Sequence, residues 1–192
     1  VCSVLESKPA EVLRSRGWKT LKVEPMDDPT KRHLAETLMA QYGKTLSLVQ
    51  LQKLISAPQT SNPLFLRTVI EEMRVFGSFE LFDIRLGQCL SCSSVPQLLS
   101  LVLERIEKET TQEAPGAVGR LLGLLCVARR GVREEEAIAI LGISQMVWSS
   151  INISLCDLLQ TRSGLLNFSH DFVRQAAQQR YVTQTSPSFY RK

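Results

Sequence analysis

Ser163-Gly164-Leu165-Leu166-Asn167-Phe168-Ser169-His170-Asp171-Phe172-Val173 joins a turn, a short apolar strand and a helix start without a break. Leu158-Leu159 on the other side of Arg162-Ser163-Gly164 supplies the partner strand, so the segment reads as a β-hairpin running into a helix. Ser169 is placed as the helix cap, and Asp171 suits the first-turn dipole. His170, one of two histidines, stands where free N–H groups and the helix dipole attract anions. An imidazole there adds a donor, and near phosphate it can carry a full charge. The plainer reading makes His170 incidental to an ordinary capped helix.

Working outward, residues 114–182 give helix, short strand, helix, helix, hairpin, helix, which is the order of a winged-helix domain. The helices are expected over Ala117 to Ala128, Arg133 to Leu141, Ser144 to Leu155 and His170 to Tyr181. Gly142 breaks the second from the third. The polar run from Thr110 to Gly116, with Pro115 in it, is the candidate boundary. Upstream, residues 27–113 read as a helical bundle. Asp27-Asp28-Pro29 starts its first helix with Asp28 as cap, and Gly43 ends it. Ser47 caps a second helix, Asn62-Pro63 opens a third that runs to Phe76, a fourth covers Phe79 to Leu90, and Ser94 caps a fifth to Lys108. In residues 1–26, Val1 to Leu5 reads as the last strand of an α/β domain. Trp18 to Val23 alternates as an exposed strand would. Residues 183–192 read as a linker or frayed tail. The fold class is mainly α with a small β-hairpin.

The chain has 192 residues, 44 % apolar and 22 % charged, with net charge +4 and a pI near 8.9. Its basic residues are scattered, with no dense run to mark a nucleic-acid surface. The expected recognition helix, Ser144 to Leu155, contains no Lys or Arg, which argues against DNA reading. The five cysteines are odd in number and follow no signal peptide, which suits a reducing, cytoplasmic setting. Cys89 and Cys92 form a lone Cys-x-x-Cys with no second pair to complete a metal site. No apolar stretch reaches membrane-spanning length. The abrupt Val1-Cys2-Ser3 opening suggests a piece of a longer protein.

Three positions are candidate nucleotide contacts. Pro63 fixes a rigid apolar edge at a helix start, on which a flat base could rest; the plainer reading is a well-started buried helix. His170 is the second. Ser3, a small polar residue at a strand end, could face a phosphate, because ligands sit outside the carboxyl ends of such strands.

Taken together, residues 12–18, Leu54 to Leu66, Glu71-Glu72-Met73-Arg74-Val75-Phe76-Gly77, Arg130 to Glu136 and Leu165 to Asp171 resemble STAND-class P-loop NTPases of the NACHT type. The resemblance is strongest to the nephrocystin-like subgroup that carries tetratricopeptide or WD repeats, and it covers residues 1–182. It implies a helical lid and a winged helix behind the end of an NTPase domain. Pro63 would pack on adenine and His170 would reach the β-phosphate of ADP. Exchange for ATP would free the winged helix to rotate and expose surface for self-oligomerisation or protein partners. The family's Gly-x-x-x-x-Gly-Lys-Ser/Thr loop and acidic magnesium-binding strand are absent from these residues. The fragment is therefore not expected to hydrolyse ATP, and it carries no catalytic or metal-ligating residue. A slow ATPase using magnesium stays open for the full-length protein. The rival from another class is a protein-interaction scaffold whose nucleotide site has decayed. Neither nucleic acid nor membrane is expected as a partner.

Overall fold

The computed structural model describes residues 8–78, 80–110 and 114–183. Ten α-helices and one hairpin fill them. Their order is α1 (Lys8–Ser15), α2 (Asp28–Ala40), α3 (Leu48–Ser56), α4 (Pro63–Val75), α5 (Phe82–Ser91), α6 (Val95–Thr110), α7 (Ala117–Val127), α8 (Glu134–Leu141), α9 (Gln145–Ser154), β1 (Leu159–Arg162), β2 (Leu165–Phe168) and α10 (Asp171–Ala177). A 3-10 turn over Pro58–Ser61 leads into α4, and a π-helical turn over Gln178–Thr183 continues α10. The chain is mainly helical with one small antiparallel hairpin, as expected. The strand expected over Val1 to Leu5 and the candidate contact Ser3 fall outside the described residues, as do residues 184–192.

Helix starts follow local chemistry. Asn62 Oδ1 accepts from Leu64 N at 2.9 Å and from Phe65 N at 3.3 Å, while Pro63 takes the first helical position, where its missing N–H costs nothing. Ser47 and Gln50 form a reciprocal capping box on α3, and Ser144 accepts from Val147 N. Two expected caps shift by one residue. Asp27, not Asp28, caps α2 by accepting from Thr30 N at 3.0 Å; Asp28 is already helical. His170, not Ser169, caps α10, because Ser169 Oγ is turned back to donate to Leu158 O at 3.0 Å.

Helix α4 is the centre of the N-terminal half. Phe65, Leu66, Val69, Ile70 and Met73 are all buried on it. It packs against α2, α5 and α6. In the C-terminal half the hairpin pairs Leu159 with Phe168 and Arg162 with Leu165, closed by Ser163 and Gly164, both at positive φ. Val132 adds a single bridge to Leu166, so the expected short third strand is reduced to one residue pair. Gly131, at φ 95°, allows that approach, since a side chain there would collide with Leu166 O and the Asn167 amide. The expected strand over residues 18–23 is not formed. Leu21 is 91 % exposed and Val23 86 %, and no described strand lies beside them to complete a ladder.

The two halves share one apolar core. α10 packs on both α6 and α7, and α9 also meets α6. Arg180 closes the seam further by pairing with Glu107 of α6 at 2.6 Å.

Candidate functional site

A cleft of about 760 Å³ opens where α4 and α6 face the end of α9, the β1 approach and the start of α10. Leu64, Arg67 and Glu71 line it from α4, and Asp157, Ser169 and His170 line it from the C-terminal half. The volume lies within the range of small-molecule sites.

His170 is exposed at this wall. Its Nδ1 accepts from Phe172 N at 3.2 Å, and the ring stacks on Phe172 with centroids 5.1 Å apart. An imidazole accepting at Nδ1 carries its proton at Nε2, leaving that nitrogen as a donor for something outside the helix. Asp171 is engaged along the helix with Gln175 at 3.1 Å. Pro63 is exposed and does not itself line the cleft, whereas the next residue, Leu64, does. The fold therefore brings His170 and the first turn of α4 to one cavity. Ser3 lies outside the described residues and is placed by none of this.

The floor of the cleft is ionic, which residue spacing in the sequence did not disclose. Glu72 is fully buried, and its Oε1 accepts from Arg85 Nη2 at 2.5 Å and Arg105 Nε at 2.8 Å. Arg105 also pairs with Glu109 at 2.6 Å. Burial opposes the charge on Arg105, but the hydrogen bond and charge of Glu72 outweigh it and raise its pKa. Arg74 pairs with Glu71 at 2.5 Å, lies 4.4 Å over the Tyr42 ring and reaches Asp157 at 3.8 Å. The hydrogen bond that Arg74 donates to Glu71 is the main cause of a raised Arg74 pKa. Glu71, Glu72 and Arg74 stood together in the quoted motif, yet the partners of Glu72 come from α5 and α6, and the second partner of Arg74 from the turn after α9.

Other chemistry is sparse. Among the described residues no three His, Cys, Asp or Glu side chains are grouped to hold a metal. Burial pushes the Cys89 thiol up to about 12 and raises Cys92 as well. α9 turns Trp148 and Ile151 inward and leaves Met146 82 % and Ile153 72 % exposed, an apolar outer face unlike a DNA-reading helix. No single described helix is long and apolar enough to cross a membrane; α8 and α9 pass only as a pair, bent by 113°.

No protein-family model matches the chain, and no solved structure matches it. Over 186 residues, 95 % of the chain, it is 27 % identical to a TPR repeat-containing protein of Dictyostelium discoideum. The chain spans only 11 % of that relative's length. The likeness is to a protein that contains TPR repeats.

Proposed function

We propose that this chain is a regulatory segment of a larger protein-assembly scaffold, with a helical lid in its N-terminal half and a winged helix in its C-terminal half. We further propose that adenine nucleotide controls how the two sit together. The likeness to a TPR repeat-containing protein supports the scaffold part. One observation carries the nucleotide part: His170 and the first turn of α4 line the same cleft from the two halves.

The residues present fit such a ligand. The cavity is large enough, and His170 has spent Nδ1 on its own helix and keeps Nε2–H to donate. Leu64 would meet the base inside the cleft, Pro63 beside it would offer its rigid edge only to a base that extends past the cavity, and His170 would hold a phosphate oxygen. Bound ADP or ATP would supply negative charge that both halves share. The phosphate loop and the magnesium site that this reading requires belong to the longer protein, as would any contact from Ser3. Closed and open arrangements then differ in population according to whether His170 has its partner.

A fluorescent ADP titration of the full protein tests this. His170→Ala should weaken binding about tenfold, as expected for one lost charge-assisted contact. Unchanged affinity would remove His170 from the site.

The second reading keeps the scaffold without the nucleotide. The exposed Met146 and Ile153 on α9 and Ile140 on α8 favour it, because apolar side chains of that size suit a protein partner. A full protein that binds no nucleotide yet still assembles would select it.

A further inference from the structure

Arg67 is the cation that the cleft leaves uncommitted. It sits one turn after Pro63 on α4, is exposed, and lines the cavity that His170 lines from the other half. No hydrogen bond or ion pair is made by its guanidinium among the described residues. Its natural helical partner four residues on, Glu71, is turned away to Arg74 at 2.5 Å. The other acids on the cleft wall are also engaged: Glu72 and Glu109 with Arg105, and Asp157 with Arg74. Each of these carboxylates thus faces an arginine already, and Arg67 is the lining arginine that pairs with none of them.

We propose that Arg67 binds the phosphate groups of the ligand in this cleft, acting across the cavity from His170; this rests on the nucleotide reading above. A guanidinium presents paired N–H donors that match phosphate oxygens, and it stays charged throughout the physiological range. Its place on the lid makes it the counterpart of the winged-helix histidine. A phosphate held by both residues would tie the two halves together. The ligand class is a phosphate ester or polyphosphate, with ADP and free pyrophosphate as the two sources to separate.

The experiment is isothermal titration of the full protein with ADP, adenosine and inorganic pyrophosphate, comparing wild type with Arg67→Ala, Arg67→Lys and His170→Ala. Arg67→Ala should weaken ADP about tenfold, leave adenosine unchanged, and be partly rescued by Arg67→Lys. Pyrophosphate losing the same factor would show that phosphate alone is the determinant. Pyrophosphate that fails to bind even the wild type, with ADP still sensitive to Arg67, would show that Arg67 acts on phosphate only when a nucleoside carries it. Equal losses for ADP and adenosine would overturn a phosphate role. Wild-type ADP affinity in Arg67→Ala alongside a loss in His170→Ala would overturn this assignment and leave the nucleotide reading standing. No ADP binding by the wild type, or no effect of either substitution, would remove both. Because Arg67 has no partner to lose, its variants should melt with the wild type.

Discussion

Arg74 on α4 and Asp157 in the turn after α9 face each other at 3.8 Å, joining the two halves across the mouth of the cleft. The same guanidinium is held by Glu71 and lies over Tyr42, so the α4 side of the pair is fixed in place. Asp157 is half exposed, and an ion pair of that kind contributes about 0.2–1 kcal/mol and weakens with salt. Asp157→Asn should therefore leave the fold intact. Hydrogen exchange should rise in residues 154–159 at low ionic strength, and the difference from wild type should shrink at high salt. Equal exchange at both salt concentrations would deny the pair any role in the seam.

Glu72 presents the opposite case, because it is fully buried between two arginines. Glu72→Ala would strand Arg85 and Arg105, both largely covered, and breaking a buried pair in this way costs about 3–5 kcal/mol. Chemical denaturation should show that loss for Glu72→Ala and a smaller one for Glu72→Gln, which keeps an acceptor oxygen. A neutral alanine variant would mean that the arginines find solvent or other partners.

Gly131 has both a positive φ and a crowded neighbourhood against Leu166 and Asn167. Gly131→Ala should break the Val132–Leu166 bridge and the Asn167 Nδ2 hydrogen bond to Arg130 O, for a loss of about 2 kcal/mol or more. Thermal unfolding reads it directly, and a melting temperature matching wild type would contradict the described approach of the two backbones.

Cys89 gives a pH prediction. Its thiol is raised to about 12 by burial, above the ordinary unfolded value, so the neutral form favours the native state. That contribution is complete below the unfolded thiol pKa of about 8.5 and is lost as pH climbs from there towards 12. Cys89→Ser, which has no thiolate to form, should show a flatter fall in stability over that window. Under native conditions at pH 8, the exposed Cys156 should alkylate well before Cys89. Simultaneous labelling would place Cys89 outside the core.

Much of the fold was legible because it rests on local chemistry. Asn62-Pro63, Ser47 and Ser144 start helices by side-chain capping, and Ser163-Gly164 closes the hairpin with two left-handed residues; each acts within three or four positions. The misplacements have equally local causes. Asp27 and Asp28 compete for one cap, and Ser169 finds the Leu158 carbonyl more accessible than the helix it precedes, leaving the cap to His170. α5 begins at Phe82, after a Leu81 that offers no side-chain cap, while its expected start, Phe79, lies outside the described residues. Residues 18–23 alternate like a strand, but alternation makes a strand only where a neighbour completes its hydrogen bonds.

Of the cleft's lining, His170 was legible from its helix start, while Pro63, singled out from its cap, stands one residue before the lining Leu64. The meeting of His170 with the first turn of α4 depends on α10 docking against α6, more than sixty residues earlier in the chain. The Glu72 pairs and the Arg74–Asp157 contact join residues between 13 and 83 positions apart, and no periodicity signals them. The freedom of Arg67 follows only once Glu71 is seen to be taken by Arg74.

The most direct measurement is hydrogen exchange on the full protein with and without ADP, followed in residues 63–75 and 154–173 together. A ligand held between the two halves predicts slower exchange in both segments, with protection of both reduced in His170→Ala. Protection confined to one segment, or absent from both, would contradict a cleft whose occupancy governs how the two halves sit.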